Sequence, residues 1–249
     1  MTSTRWAIAA LFAAAPLTAS AQMPTIGVSV DASLLLGLGI SVGTAVGDRF
    51  NVRGSYHGFS YSDDFDDSED KLSYDADLKL SSFGVLGDWH PFKGGFRVTA
   101  GLMANGNRLD LAAQDNGGEF EVGDCTYRSV ANDPLNINGR IDWRDTAPYL
   151  GIGWGGNMNA KPGLYGVFDL GVMFSGAPKA RLSANGQAQL QSGPGSCGEP
   201  GTQFDVNDPN DAAAQQFRNE LQTSQDDANE EAKDFKIWPN IAVGIGWRF

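Results

Sequence analysis

The sequence predicts an all-β protein, an eight-stranded antiparallel transmembrane β-barrel with long extracellular loops, one of which contains a short α-helix. Three observations support this prediction. Apolar residues recur at every second position through most of the chain. The residues between them are small or polar, and short connections alternate with long ones. This combination is typical of a closed sheet with its apolar face turned outward.

The N-terminal segment has the three regions of a secretory signal peptide. Arg5 precedes an apolar run from Trp6 to Leu17, and Ala19-Ser20-Ala21 is a small-x-small cleavage site. The run is shorter than the roughly 20 residues that a membrane-spanning helix needs. We therefore predict that residues 1–21 are removed and that residues 22–249 form the exported domain. The alternative is an apolar arm on a soluble protein.

Seven blocks of the chain alternate with a two-residue period. They are 26–46, 50–57, 72–92, 96–105, 141–154, 164–174 and 235–249. Both ends of a barrel chain lie on one side of the membrane, so the number of strands must be even. Block 26–46 is about twice as long as the roughly 9 to 11 residues of one crossing. We therefore divide it near Asp31 to Leu34, although a single long first strand remains an alternative.

In block 72–92 the apolar residues change parity, which predicts a β-bulge near Ser81 and Ser82. The connections differ in length along the chain. Those at 47–49, 93–95 and 155–163 are short or fairly short, and those at 62–71, 114–139 and 176–234 are long and polar. Outer-membrane barrels have short periplasmic turns and long extracellular loops.

A soluble β-sandwich also alternates and is the competing fold. Its polar face meets water and carries long side chains, whereas the face opposite the apolar residues is here rich in glycine. The glycines on that face are Gly27, Gly37, Gly39, Gly43, Gly101, Gly171, Gly244 and Gly246. Small residues suit the crowded inside of a narrow barrel, so the apolar face is predicted to contact lipid.

Aromatic residues gather where the blocks meet the short turns and the C-terminus. They are Phe50, Trp89, Phe92, Phe96, Trp154, Tyr165, Trp247 and Phe249. Such a girdle is typical of the headgroup level of a membrane. We predict that Trp89, Trp154, Trp247 and Phe249 lie at the membrane interface, and that the terminal Phe249 anchors the closing strand.

The signal peptide, the alternating strands, the short turns and the terminal Trp247-Arg248-Phe249 together resemble the small outer-membrane β-barrels of Gram-negative bacteria, of the OmpA-like transmembrane type. The resemblance implies export through the periplasm to the outer membrane and contact with outer-membrane lipid and lipopolysaccharide. It also implies that the barrel-assembly machinery reads Trp247 and Phe249. A monomer is expected.

The interior of an eight-stranded barrel is just filled by side chains. The residues predicted to point into it are Arg53, His57, Arg97, Asn105 and Asp169, with Asp77 and Lys79 near them. These residues form either a paired polar core or the lining of a narrow gated pore. Buried charges must be partnered and no wide channel fits, which favours the core.

The sequence carries no pattern for catalysis, a cofactor or a metal. His57 and His90 are the only histidines. His57 is predicted to face the interior with no Gly-x-Ser-x-Gly context nearby, and His90 lies at a predicted periplasmic turn, where an interface anchor is the preferred interpretation. The acidic run Asp63, Asp64, Asp66, Asp67, Glu69 and Asp70 lacks the spacing of a calcium loop, so a solvated charge run is the preferred interpretation. A net charge of −12 argues against nucleic acid as a partner.

Cys125 and Cys197 are the only cysteines, and export predicts that they form a disulfide between the third and fourth outer loops. Residues 208–235 are predicted to be helical, with Asp208 as the cap and Pro209 at the first helical position. The apolar stripe of this helix is thin. It packs on the barrel or offers the stripe to a partner.

The predicted function is a structural or adhesive one, in which the barrel displays an acidic extracellular cap tied by the disulfide. A narrow small-solute pore is the alternative, and a lipid-modifying enzyme is the third possibility.

Overall fold

The computed structural model describes residues 25–67, 72–115 and 119–249. The predicted signal peptide, 1–21, and residues Glu69 and Asp70 of the acidic run lie outside these ranges. No helix among the described residues is both long and apolar enough to cross a membrane.

Strands make up most of the described chain, and there is one α-helix. The strands are β1 (Ile26–Ser33), β2 (Gly37–Ala45), β3 (Phe50–Asp67), β4 (Leu72–Trp89), β5 (Phe96–Asn105), β6 (Arg108–Asp115), β7 (Phe120–Val122), β8 (Cys125–Ser129), β9 (Asn136–Asp142), β10 (Thr146–Trp154), β11 (Gly163–Met173), β12 (Lys179–Asn185), β13 (Gln187–Ser192), β14 (Gln203–Asp205) and β15 (Trp238–Arg248). The helix is α1 (Ala212–Ala232).

Eight of these strands form a closed antiparallel ring. Their order is β1, β2, β3, β4, β5, β10, β11 and β15, and β15 pairs back onto β1. The backbone amide of Phe249 donates to the carbonyl of Ile26 at 3.0 Å, so the last residue takes part in the closure. Closure satisfies the backbone groups that would otherwise form a free sheet edge.

The first alternating block divides into β1 and β2, which confirms the predicted pair of strands. The connection consists of Leu34 to Leu36, and Gly37 takes a φ of +86° that favours glycine. Ser33 pairs directly with Gly37, so both side-chain positions face the same way. A three-residue turn therefore preserves the parity of the alternation, which explains why the sequence shows no break.

The two ends of the ring differ. At the short-turn end lie the connections 46–49, 90–95 and 155–162 together with residues 25 and 249. At the long-loop end, the connections 34–36 and 68–71 are short, and those from β5 to β10 and from β11 to β15 are long. The two long connections contain strands and a helix, so the regions predicted as loops at 114–139 and 176–234 carry regular structure.

One side of the ring continues beyond the long-loop end as a raised sheet, made of the outer halves of β3 and β4 together with β6, β9 and β12. The strand β3 runs to Asp67, so the predicted loop from residue 62 is wrong over its first six residues. The strand β6 follows the line of β5 after Gly106, whose amide donates to the carbonyl of Ser81 at 2.7 Å.

The predicted β-bulge near Ser81 and Ser82 is wrong. The pairing of β3 with β4 continues without a shift from Phe50 opposite Trp89 to Asp67 opposite Leu72. The change of parity in the sequence instead marks the place where β4 leaves the ring and enters the raised sheet.

A cap, made of the small sheet β7, β8, β13 and β14 together with α1, packs against the raised sheet. Its core contains Tyr127, Leu190, Phe204 and Phe217, and Ile137 and Leu182 of the raised sheet pack against it. A disulfide joins Cys125 to Cys197 across 72 residues, as predicted.

The helix α1 begins later and ends earlier than the predicted segment 208–235. Its N-cap is Asp211, whose carboxylate accepts from the amides of Ala213 and Ala214, so the prediction of Asp208 as the cap is wrong. Its apolar stripe, which includes Phe217 and Leu221, is buried in the cap.

The C-terminal half of α1 also lies along β12. The side chain of Asn229 both donates to the carbonyl and accepts from the amide of Ala180, at 3.1 and 2.8 Å. The Gln225 side chain accepts from the amide of Leu182 at 2.8 Å. These contacts attach the helix to the outermost strand of the raised sheet.

We expect the cap to lose stability in alkali because of Tyr127. Burial, with a smaller contribution from the Glu220 carboxylate, raises the pKa of this phenol to about 12. In the unfolded chain the phenol has its ordinary pKa of about 10. The contribution of Tyr127 to the stability of the cap is therefore complete below pH 10 and falls as the pH rises toward 12. The loss should approach about 2 kcal/mol at that upper limit.

Alkaline unfolding of the cap, followed by near-ultraviolet absorbance and circular dichroism, measures this effect. A Tyr127→Phe variant lacks the titrating group and should keep a flatter profile between pH 10 and 12. Equal pH dependence in the two proteins would contradict the prediction.

Candidate functional site

Four charged side chains from four strands meet in one cluster inside the ring. They are Arg53 of β3, Asp88 of β4, Arg97 of β5 and Asp169 of β11. Arg53 lies 3.1 Å from Asp88 and 3.4 Å from Asp169, and Arg97 lies 2.7 Å from Asp169 and 3.5 Å from Asp88. Each arginine therefore contacts both carboxylates, and the four formal charges cancel.

This charge cluster is buried. Arg97 is 1% exposed and Asp88 2% exposed, and the hydroxyl of Thr99 donates a further hydrogen bond to Asp88 at 2.7 Å. Charges taken out of water are costly unless they are paired and hydrogen-bonded. They lie here because each occupies an inward position of its strand, where every second residue faces the interior of the ring.

Other polar pairs occupy the space between the cluster and the long-loop end. His57 Nε2 lies 2.8 Å from a carboxylate oxygen of Asp31. Asn240 accepts from the Ser33 hydroxyl at 2.6 Å and donates to the Tyr149 hydroxyl at 3.2 Å. Polar side chains thus bind one another across the interior instead of lining an open passage.

Apolar residues close the long-loop end of the ring. Leu36, Met103 and Met173 are buried together there, with Trp238 packed against them. The Trp238 indole donates to the carbonyl of Leu35 at 2.9 Å, which attaches this lid to the β1–β2 turn.

The short-turn end is closed by the segment 155–158, which folds under the ring. Arg97 donates to the carbonyl of Gly155 at 2.5 Å, and Asn51 donates to that of Gly156 at 2.8 Å. Asn51 also contacts His90 at 2.9 Å, and Met158 is buried in the interior. Gly155 has a φ of +91°, and a Cβ there would lie 1.8 Å from the carbonyl oxygen of Gly166.

Two cavities inside the ring are lined by residues of the described ranges, and both are small. One cavity, near Met158 and the charge cluster, measures about 10 Å³, and a second, near His57 and Tyr149, also measures about 10 Å³. A volume of that size is about that of one water molecule by the same measure. These two cavities are too small for a solute.

Five residues predicted to face the interior are buried inside the ring, namely Arg53, His57, Arg97, Asn105 and Asp169. The placement of Asp77 and Lys79 with them is wrong. Both are exposed on the raised sheet, because β4 has left the ring before it reaches them, and both have the outward parity.

Sequence reasoning missed Asp88 and Asp31 as interior residues. Asp88 shares its parity with Ser82 and Leu86, which are also buried, so a correct register for β4 would have identified it. Asp31 alternates with exposed Val30 and lies among the small residues of β1, where the same parity rule places it inside.

The outer surface of the ring is an apolar belt of exposed side chains. Its residues, each between 38% and 69% exposed, include Val30, Leu38, Ile40, Val42, Val52, Phe83, Val85, Leu102, Leu150, Ile152, Leu170, Ile241, Val243 and Ile245. They come from all eight strands of the ring. Monomeric soluble proteins rarely expose a contiguous apolar patch larger than a few hundred Å².

The two faces of β4 exchange their polarity where the strand leaves the ring. On the outward face, Val85 and Phe83 are followed by Lys79 and Asp77. On the inward face, Asp88 and Ser82 are followed by the apolar Leu80, Leu78 and Tyr74. The pairing of β4 with β3 is continuous, so the same physical face changes from apolar to charged.

The strands β5 and β6, which neighbour β4 and follow one line, also exchange the polarity of their faces at this height. Leu102 faces outward in β5, and Arg108 and Asp110 follow on that face in β6. Arg97 and Thr99 face inward in β5, whereas Leu109 and Leu111 follow in β6. We call this height the reversal level.

The aromatic residues singled out in the sequence lie at the short-turn end, but Tyr165 is buried inside the ring, so its assignment to the girdle is wrong. Trp89 and Trp154 are the last residues of β4 and β10, and Trp247 and Phe249 end the chain. All four are exposed on the outward face. The rings of Phe96 and Trp154 pack edge to face with centroids 5.0 Å apart.

No known protein-family profile matches the chain, and no curated protein matches its sequence. Among solved structures, CarO2 from Acinetobacter baumannii is similar with a TM-score of 0.51 at 19% identity, covering 92% of this chain and 100% of that one. CarO from the same organism gives 0.46 at 20% identity, covering 90% and 97%. A major outer membrane protein from Thermus thermophilus gives 0.40 at 15% identity, covering 92% and 100%. The likeness to CarO2 shows a shared fold.

Proposed function

We propose that this protein is an outer-membrane β-barrel of the small OmpA-like type, which spans the bilayer through its ring and displays the cap at the cell surface in a structural or adhesive role. The observation that carries the proposal is the reversal level. A single face that is apolar along the ring and charged beyond it matches a solvent that changes from hydrocarbon to water.

The dimensions of the apolar belt agree with one bilayer crossing per strand. The strand β5 contains 10 residues and β11 contains 11, and the outward face of each is apolar. A tilted strand crosses the hydrocarbon in roughly 9 to 11 residues. The closed ring also leaves no backbone edge exposed to lipid, which hydrocarbon would penalise.

The aromatic residues at the short-turn end support an orientation with the short turns in the periplasm. In this orientation Trp89, Trp154 and Trp247 lie at the inner headgroup level. The terminal Phe249 contributes both an interface anchor and, together with Trp247, the signal for the barrel-assembly machinery during biogenesis.

The interior supports a structural role more than a pore. The charge cluster, the segment 155–158 and the apolar lid at Leu36 occupy the axis, and the two cavities hold about one water molecule each. The proposal includes no catalytic role, because His57 and His90 are buried inside the fold and the cavity beside His57 is too small for a substrate.

The cap is the part of the protein that the proposal assigns to surface interactions. The disulfide fixes β8 to the segment before β14, and α1 exposes Asp226, Asp227, Glu230 and Glu231. An ordered acidic surface of this kind suits contact with basic groups on another cell or molecule. The ring itself is expected to be monomeric.

We predict that the purified protein stays dispersed only in detergent or lipid and, unheated, migrates in SDS gels at a position different from that of the boiled protein. The reason is that the apolar belt needs an apolar solvent and that the closed ring resists unfolding by SDS. A monomer that is stable in water without detergent would contradict the membrane assignment.

We also predict that protease added to intact cells cleaves the cap and leaves the ring as a protected fragment. Mass spectrometry of the fragments should find cuts between β5 and β10 or between β11 and β15. Cleavage in intact cells at the turn 46–49 or 155–162 would contradict the proposed orientation. Opened cells serve as the control in which those turns become accessible.

A further inference from the structure

The outward face of the raised sheet begins with a row of basic residues directly beyond the apolar belt. Lys79 of β4 is paired with Arg108 of β6, Arg108 is paired with Asp142 of β9, and Asp142 is paired with Lys179 of β12. Residues that pair directly in an antiparallel sheet project from the same face. We call Lys79, Arg108 and Lys179 the basic row.

The basic row is an unusual arrangement for this chain, which carries a net charge of −12. Two cations, Lys79 and Arg108, stand directly opposite each other, which destabilises an antiparallel pair unless an anion lies between them. Arg108 contacts Asp110 at 2.9 Å, but within the described ranges neither Lys79 nor Lys179 forms an ion pair.

Farther from the ring, the same face loses its positive charge. The next row pairs Asp77 with Asp110 and Arg140 with Arg181, so its charges balance. Beyond it, Asp64 is paired with Asp75, and no basic residue accompanies them on that row. The positive charge of the face is therefore concentrated next to the membrane.

The position of the basic row matches the headgroup layer. Lys79 lies four residues from the exposed Phe83 along β4, on the side away from the ring, which is roughly 13 Å of strand or, after tilt, about 10 Å of height. The headgroup layer is about 5 to 8 Å thick. Flexible lysine stems can reach back toward it. The side chains are accessible, since Lys79 and Lys179 are exposed and the Arg108 side chain is 43% exposed.

We infer that the basic row binds the phosphate groups of outer-leaflet lipids, and specifically those of a phosphorylated glycolipid. Three donors from three strands span one edge of the barrel at the height of such phosphates, and charge complementarity selects an anion. This inference rests on the proposed membrane function, because the row faces lipid only if the apolar belt lies in the bilayer.

The test compares the wild type with a triple variant, Lys79→Gln, Arg108→Gln and Lys179→Gln, each in nanodiscs that contain neutral phospholipid and a small fraction of a bisphosphorylated glycolipid. Native mass spectrometry measures how many glycolipid molecules stay bound. Each basic group near a membrane surface contributes about fivefold in affinity, so the triple variant should lose on the order of a hundredfold.

A matched control removes the same amount of charge elsewhere. In the variant Arg128→Gln, Lys161→Gln and Lys233→Gln, all three positions are exposed and lie in the cap or at the short-turn end. This control should retain the glycolipid like the wild type. Equal losses in the two triple variants would overturn the assignment, since they would reflect net charge alone.

Two further arms test the source of the phosphate. The dephosphorylated glycolipid should bind the wild type as weakly as it binds the triple variant. Inorganic phosphate at millimolar concentration should displace little of the bound glycolipid, and full displacement by it would overturn a lipid ligand in favour of a free anion.

The insertion of the wild type into nanodiscs separates the two proposals. If the protein inserts but shows no preference for the phosphorylated lipid, the basic-row inference fails and the membrane function stands. If the wild type does not insert, both proposals fail.

Discussion

Replacing Arg97 by methionine is expected to lower the free energy of unfolding of the ring by about 3 to 5 kcal/mol. Arg97 contacts both Asp169 and Asp88 and is 1% exposed, so its removal leaves the cluster with an uncompensated negative charge. Methionine keeps much of the volume of the side chain without its charge. Urea unfolding of the protein refolded in lipid vesicles measures the change.

Two companion variants make this result specific to the charge cluster. Arg140→Met removes an arginine that lies 2.5 Å from Asp110 but is 54% exposed, and exposed pairs contribute only about 0 to 1 kcal/mol. The double variant Arg97→Met with Asp169→Leu restores neutrality and should recover part of the loss. If Arg97→Met lowers the free energy of unfolding no more than Arg140→Met does, the stabilising role of the paired core is contradicted.

Replacing Cys125 and Cys197 together by alanine is expected to destabilise the cap by about 4 kcal/mol and to leave the ring intact. The chain-entropy estimate for a loop closed across 72 residues gives this magnitude. Both sulfurs lie in the cap core, outside the eight strands that close the ring. Protease sensitivity measures the destabilisation of the cap, and the SDS-gel shift measures whether the ring stays closed.

Reduction of the wild type provides the control for this variant. A reductant should make the wild-type cap as sensitive to protease as that of the alanine variant and should change nothing in the variant itself. Loss of the SDS-gel shift in the variant would contradict the independence of ring and cap, because it would show that the disulfide also supports the closed sheet.

The ring could be predicted because its outward and inward faces have different requirements, and the two faces alternate at every second residue. The outward residues of β5, such as Val98 and Leu102, need an apolar solvent, and the inward Arg97 and Asn105 need partners, so both requirements appear as alternation. The pair β1 and β2 followed from the length of block 26–46 together with the need for an even number of strands. The disulfide followed from the two cysteines and the prediction of export.

The raised sheet could not be predicted from the same pattern. Beyond Ser81 the strand β4 keeps its two-residue period but exchanges the polarity of its faces, so Lys79 and Asp77 read as inward residues when they lie outside. Alternation reports which residues share a face and says nothing of what covers that face. The interior position of Asp88 was not predicted for the same reason.

The cap was hidden for a different reason. Its short strands, such as β7 and β14, contain three residues each, too few for a period to be recognised among polar neighbours. The capping residue of α1 was ambiguous because Asp208 and Asp211 both precede the helix, and only the contacts of the carboxylate with Ala213 and Ala214 distinguish them.

The amide side chains of Asn229 and Gln225, which hydrogen-bond the backbone of β12, have a consequence for contacts between copies of this protein. An uncovered terminal strand is a template for pairing with another chain. Here two positions of that template are already occupied from within the same molecule, so we expect α1 to disfavour sheet-to-sheet polymerisation through this edge.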